Sequence, residues 1–200
     1  MEDQKKSLET LHEIRQLMER STRFVSLSGL SGLFIGLYAL VASGYLIGLS
    51  DFRTNGLDWF VETNQTHVVF HVLVITLFLS LLTGFLLTYR KAGTLRWDSP
   101  TRRLVFHLGT PLVTGGILCF IFESHGYWEF ILPTTLIFYG LALLNASKYT
   151  WEDLQYMGLG VLVAGLLAFL WPSYALYCWA FGFGLLHILY GLSIHLKYEK

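Results

Sequence analysis

The chain has 200 residues, of which 54% are hydrophobic and 14% are charged, and its 14 basic and 14 acidic side chains give a formal net charge of zero. This balance argues against a nucleic-acid or acidic partner and favours the lipid bilayer as the environment of the chain. Almost every segment belongs to an apolar run, so the length leaves no room for a soluble catalytic domain beside the membrane part.

The N-terminal residues form the first predicted element, before the apolar part of the chain begins. Apolar side chains recur in residues 4–22 at helical spacing, namely at Leu8, Leu11, Ile14, Leu17 and Met18. Lys and Glu residues fill the other faces, which predicts an amphipathic helix on the cytoplasmic membrane surface. The mixture of Glu with Lys equally suits packing against a cytoplasmic loop or a protein partner. We therefore divide the chain into a cytoplasmic helix, 1–23, and a membrane domain, 24–200.

The membrane domain is predicted from the length of its uncharged stretches. A hydrocarbon core about 30 Å thick needs about 20 helical residues. Five uncharged stretches of about that length or longer follow one another. The longest lies between Asp153 and Lys197, and Pro172, which cannot continue a helix interior, divides it into two spans. The sequence predicts an all-α integral membrane fold with six transmembrane helices, at about 24–48, 67–89, 104–122, 130–147, 155–171 and 174–196.

The basic residues decide the orientation of these six helices. Thirteen of the 14 Lys and Arg residues lie on the side that holds both termini, and only Arg53 lies in a loop on the other side. Under the positive-inside rule, both termini are predicted to be cytoplasmic. The pattern is typical of a multi-pass protein of a cytoplasmic membrane.

The first predicted helix carries small side chains at intervals of four residues. Ser28, Gly32 and Gly36 begin the stripe, and Gly44 and Gly48 continue it. In lipid, small residues allow two helix backbones to approach closely. The stripe therefore predicts close packing of the first helix against a neighbour.

The predicted spans contain no Asp, Glu, Lys or Arg, which leaves the histidines as the first candidates for chemistry inside the membrane. His67 and His71 on the second helix have the spacing of one face of a metal site, but no carboxylate completes it within the span. His107 and His187 lie four and ten residues from the cytoplasmic boundary. The difference, about 9 Å along the membrane normal, argues against a haem held by both. No metal site is predicted, and the cofactor is left unassigned.

A polar stripe follows the cytoplasmic half of the third predicted helix. It consists of Arg103, His107, Thr110 and Thr114, with Pro111 beside it. Proline has no N–H, so the carbonyl of His107 loses its helical partner and we expect a kink there. Such a stripe either lines a cavity or forms a helix contact in which the hydroxyls bond to backbone carbonyls.

His187 is the deepest histidine of the predicted spans. An imidazole at that depth without a partner would cost several kcal/mol. It therefore needs a backbone carbonyl, a ligand or a side chain of similar depth, and the candidates are Tyr139, Asn145 and Thr110. Two interpretations stay open, a satisfied core histidine and a contact to a ligand or proton.

Two segments carry a resemblance to a known group of proteins. Met18–Gly32 and the run Gly182–Gly191 resemble small, uncharacterised bacterial inner-membrane proteins, and the similarity extends over most of the chain. The resemblance implies a bacterial cytoplasmic membrane. It brings no activity, cofactor or catalytic residue to this chain.

The leading hypothesis is a non-enzymatic polytopic inner-membrane protein that binds a partner or small ligand in the cytoplasmic half of its bundle. Motifs for a serine nucleophile, a phosphate loop or a metalloprotease are missing from the sequence. A transporter of a small neutral or weakly anionic solute is the alternative, and a membrane enzyme or electron carrier acting on lipid, quinone or haem ranks third. A protein partner would bind through residues 4–22. The predicted site consists of Arg103, His107, Thr110, Thr114, Asn145, His187 and Tyr190.

Overall fold

The computed structural model describes residues 29–49, 60, 64–92 and 99–198. This part of the chain is almost entirely helical, contains no strand, and holds six helices that are long and apolar enough to cross a membrane. The predicted all-α fold with six apolar spans is confirmed at that level. The amphipathic helix predicted for residues 4–22 lies outside the described residues, so a partner bound there stays a prediction.

The first five spans are regular α-helices. They are α1 Gly29–Leu49, α2 Thr66–Ala92, α3 Ser99–Ser124, α4 Ile131–Ala146 and α5 Asp153–Leu170. Short 3₁₀ turns flank α4 on both sides. Helix α3 begins at Ser99, five residues before the predicted charge-free span 104–122. Arg102 and Arg103 are exposed within the helix, where long side chains reach water while the backbone stays helical.

The sixth span is interrupted, which the sequence pattern did not predict. It comprises a 3₁₀ turn Pro172–Tyr174, α6 Ala175–Trp179, a π-helical segment Ala180–Leu185 and α7 Leu186–Tyr198. At the end of the π-helical segment, the Leu186 N–H donates to the carbonyl of Phe181, five residues earlier. Such a segment holds one residue more per turn than an α-helix, so it changes the face on which the following residues lie.

The spans pack in the order α2, α1, sixth span, α5, α4 and α3. About a third to nearly half of the residues in α1, α4, α5 and the sixth span are buried, against 11% in α2 and α3. Helices α1, α4 and α5 and the sixth span therefore form the interior of the bundle, and α2 and α3 lie at its periphery. Their exposed faces are apolar, as expected of helices that contact lipid.

The backbones of helix α1 and the sixth span are in close contact. A Cβ placed on Gly36 would lie 2.6 Å from the carbonyl oxygen of Gly184, and Gly32 is similarly close to the sixth span. Gly44 and Gly48 have nothing within 4 Å of such a Cβ. The predicted close packing is therefore confirmed for one half of the small-residue stripe and wrong for the other half.

Candidate functional site

His187 is buried, with 3% of its surface exposed, and both its ring nitrogens have partners. Its Nε2 lies 2.7 Å from the Tyr139 hydroxyl of α4, and its Nδ1 lies 3.3 Å from the carbonyl oxygen of Gly182. A carbonyl only accepts, so Nδ1 carries the proton and Nε2 of the neutral ring accepts from the Tyr139 hydroxyl. Of the three partners considered from the sequence, Tyr139 is the one that the structure shows.

Aromatic rings surround this pair. Tyr139 stacks on His187 with ring centroids 5.4 Å apart and on Phe183 with centroids 4.8 Å apart, and Trp179 continues the row at 4.9 Å from Phe183. We call these four residues the core cluster. Tyr190, one turn after His187, is half-buried. The imidazole is thus packed among rings in the interior of the bundle and does not face lipid.

A second cluster lies between α3 and α4. His107 is half-buried and stacks on Tyr149, with ring centroids 5.0 Å apart and planes inclined by 22°. Further along the same two helices, a Cβ on Gly115 would meet the Phe138 side chain at 2.5 Å. The helices therefore run antiparallel in close contact, and we call this contact region the α3–α4 seam.

Asn145 lies in the seam by its position on α4. Phe138, Asn145 and Tyr149 follow one another at spacings of seven and four residues, so they share one helix face. Both neighbours on this face contact α3, and Asn145 is half-buried between their levels. Its side-chain amide makes no hydrogen bond to another residue of the described ranges.

Two charged side chains lie within one turn of the residues at the His107–Tyr149 end of the seam. Arg103, one turn before His107, is exposed and forms no ion pair with a carboxylate of the described part of the chain. Lys148, beside Tyr149, is exposed as well. The seam therefore combines a guanidinium at its mouth with an imidazole and an amide further in.

The hydroxyls of the two threonines of the predicted polar stripe bond to the backbone of their own helix. Thr110 and Thr114 are exposed, and their hydroxyls donate to the carbonyls of Phe106 and Thr110 at 2.8 and 2.9 Å. This is the backbone-bonding arrangement considered for the stripe. Helix α3 continues on both sides of Pro111, and whether it bends there stays a prediction.

The predicted site residues do not form one group. Tyr139 of α4 contacts His187, and Tyr149, in the 3₁₀ turn after α4, contacts His107. The two tyrosines are ten positions apart, which corresponds to about 15 Å along the helix axis. The structure thus places the two histidines in separate clusters. Ligand binding by any of the predicted residues stays a prediction.

Tyr149 and Phe183 were missed from the sequence. A positive φ at Gly126 marks the turn between α3 and α4. Counting outward from it brings Gly115 close to Phe138 and His107 close to the end of α4, so hairpin register would have narrowed the neighbours of His107 to the residues around that end. Phe183 lies in the π-helical segment, whose altered rotation the sequence pattern did not reveal.

A shallow groove separates the start of α2 from the start of α4. It is almost entirely apolar, with Phe60, Val69, Trp128 and Leu132 among its walls. Within the described ranges, no three His, Cys, Asp or Glu side chains come close enough to hold a metal ion.

Neither a protein-family model, nor a curated protein, nor a solved structure matches this chain. The resemblance to small bacterial inner-membrane proteins therefore stays a prediction. The six apolar spans indicate a multi-pass membrane protein.

Proposed function

We propose that the protein is a non-enzymatic membrane protein that binds a small ligand or a partner in the α3–α4 seam, in the cytoplasmic half of the bundle. The observation that carries the proposal is the Asn145 amide. It is half-buried between two apolar spans and makes no hydrogen bond to another described residue. A polar group left in this state costs about 1–3 kcal/mol, so a ligand that bonds to it recovers free energy on binding.

The neighbours of Asn145 supply complementary groups. The Arg103 guanidinium and the Asn145 amide donate, the His107 ring does either, and the His107 carbonyl accepts because Pro111 provides no N–H for it. This set suits a polar or weakly anionic ligand. The side chains named here include no nucleophile held by a base, which is why binding is proposed and catalysis is not.

In this proposal, the core cluster has a supporting role. His187 and Tyr139 satisfy each other, and the stacked rings around them hold α4 against the sixth span. A rigid α4 keeps Asn145 and Tyr149 at a constant distance from α3, which favours a preorganised site.

Native mass spectrometry of the purified protein tests the seam. We expect wild type to retain a bound small molecule and Asn145→Leu, which removes the amide at similar volume, to retain about tenfold less, since one hydrogen bond to the ligand is lost. Thr114→Val is the matched control, because it removes an exposed hydroxyl that is already bonded to a carbonyl of its own helix. Equal retention in Asn145→Leu and wild type would contradict the proposal.

We further propose that the membrane is the bacterial cytoplasmic membrane and that both termini are cytoplasmic, on the strength of the thirteen-to-one distribution of Lys and Arg. Reporter fusions after Lys200 and within 92–101 are expected to report the cytoplasm, and a fusion near Gly56 the outside. A cytoplasmic report from Gly56 is the result that would exclude this topology.

A transporter is the second candidate, favoured by the π-helical segment in the middle of the sixth span. Interrupted transmembrane helices are common at the binding sites of transporters, because they present backbone groups to a solute. Uptake into proteoliposomes of a molecule found bound to the purified protein would favour transport. Binding without uptake would favour the leading proposal.

A further inference from the structure

We infer that His67 and His71, near the start of α2, bind a divalent transition-metal ion through one ring nitrogen each. The pair lies on a different helix from the α3–α4 seam, so the inference is independent of the proposed function. It is carried by three features of the described residues: the distance between the two exposed rings, the hydrogen bond that orients one of them, and the position of the pair along α2.

The two imidazoles are neighbours on one face of α2. Residues four apart lie one above the other on a helix, and the ring centroids of His67 and His71 are 6.4 Å apart with planes inclined by 82°. Two imidazoles that share a metal, each with its nitrogen about 2.1 Å from the ion, have centroids about 5 Å apart. Both side chains are exposed, so rotation about their side-chain bonds brings the rings to this distance without a movement of the backbone.

A hydrogen bond and a ring contact orient the His71 imidazole. Its Nδ1 bonds to the carbonyl oxygen of His67, and the Phe70 ring packs beside it, nearly perpendicular, with centroids 6.1 Å apart. A carbonyl only accepts, so Nδ1 carries the proton and Nε2 of the neutral ring keeps its lone pair. Metal-binding histidines commonly donate their second N–H to a carbonyl or carboxylate in this way. The Nε2 atom of His71 is therefore the expected metal ligand.

The pair lies at an end of α2 that water reaches. The helix has 27 residues and is therefore about 40 Å long, whereas the hydrocarbon core is about 30 Å thick. Its first turn extends into the headgroup region, and His67 is the second residue of that turn. Water is needed in the coordination sphere, because the described ranges place no third His, Cys, Asp or Glu ligand beside the pair.

The ligand atoms select the class of metal. Imidazole nitrogen suits Zn²⁺, Ni²⁺ and Cu²⁺, whereas Mg²⁺ and Ca²⁺ prefer oxygen ligands. Among the divalent first-row ions, Cu²⁺ binds most tightly to a given set of nitrogen and oxygen ligands, and its tetragonal geometry accommodates two imidazoles together with water. Cu²⁺ is therefore the most sensitive probe of the pair, and an excess of Mg²⁺ should not displace it.

Titration of the purified full-length protein with Cu²⁺, without an affinity tag, tests the pair. We expect His67→Ala and His71→Ala each to weaken the tightest binding by at least about tenfold, since loss of a ligand costs no less than loss of a group that orients it. The double variant should bind little more weakly than either single variant, because one substitution already breaks the chelate. The electron paramagnetic resonance spectrum of bound Cu²⁺ should show coupling to two imidazole nitrogens in wild type and to one in each single variant.

His125→Ala is the matched control, because His125 is also exposed but has no other histidine near it in the sequence. Its Cu²⁺ affinity should equal that of wild type. Equal weakening in all three single variants, or additive losses in the double variant, would overturn the inference, since the ions would then bind isolated histidines. Both rings are exposed, so the metal-free variants should melt at the temperature of wild type, and Cu²⁺ should raise the melting temperature of wild type alone.

Discussion

Gly36→Ala is expected to lower the thermal stability of the protein strongly. The added Cβ would lie 2.6 Å from the carbonyl oxygen of Gly184, 2.7 Å from the Ile188 side chain and 3.0 Å from its backbone nitrogen. Two of these atoms belong to the backbone of the sixth span, so relief requires α1 to move away from it. Overpacking of this kind costs about 3 kcal/mol, which corresponds to a fall in Tm of about 10 °C for a chain of this length.

Gly44→Ala on the same helix is the matched control for that experiment. No atom lies within 4 Å of the added Cβ, so the substitution meets no clash. Alanine also favours the helix over glycine by up to about 1 kcal/mol, so the Tm should stay the same or rise slightly. Equal falls in Tm for the two variants, measured side by side in one detergent, would show that the contact between α1 and the sixth span is not the cause.

His187→Ala is expected to destabilise the protein while leaving the seam able to bind. The substitution leaves the Tyr139 hydroxyl without its acceptor and opens a void beside the rings of Phe183 and Tyr139. The unsatisfied group and the void together cost about 3 kcal/mol. Thermal unfolding measures the loss, and ligand retention at a temperature where the variant is folded should match wild type.

A double-mutant cycle with Tyr139→Phe isolates the hydrogen bond in that pair. Tyr139→Phe removes only the hydroxyl, and we expect the two substitutions to couple by about 1 kcal/mol, because either one already breaks the same bond. His125→Ala, an exposed histidine in the turn before α4, should stay within about 0.5 kcal/mol of wild type. A stable His187→Ala variant that has lost its ligand would instead assign the imidazole a binding role.

The number and approximate extent of the spans could be read from the sequence because each depends on local free energies. A helix in hydrocarbon satisfies its own backbone hydrogen bonds, and about 20 apolar residues suffice to cross the membrane. These conditions do not depend on contacts with a neighbouring helix. The charge-free span is shorter than helix α3 for the same local reason, since Arg102 and Arg103 extend toward water from within the helix.

What depends on neighbours was decided only by the tertiary structure. Gly36 and Gly44 look alike in the sequence, yet one contacts the sixth span and the other contacts nothing, because the order and crossing of the helices select the buried half of the stripe. His107 and His187 lie in separate clusters for a similar reason. Each histidine contacts a residue that lies at its own depth in the bundle, within α4 or in the turn that follows it. The sequence by itself determined six apolar spans. The assignment of side chains to helix faces from the sequence assumed α-helical rotation throughout every span. The π-helical segment breaks that rotation just before His187, so the pairing with Tyr139 follows from the packed bundle and not from spacing along the chain.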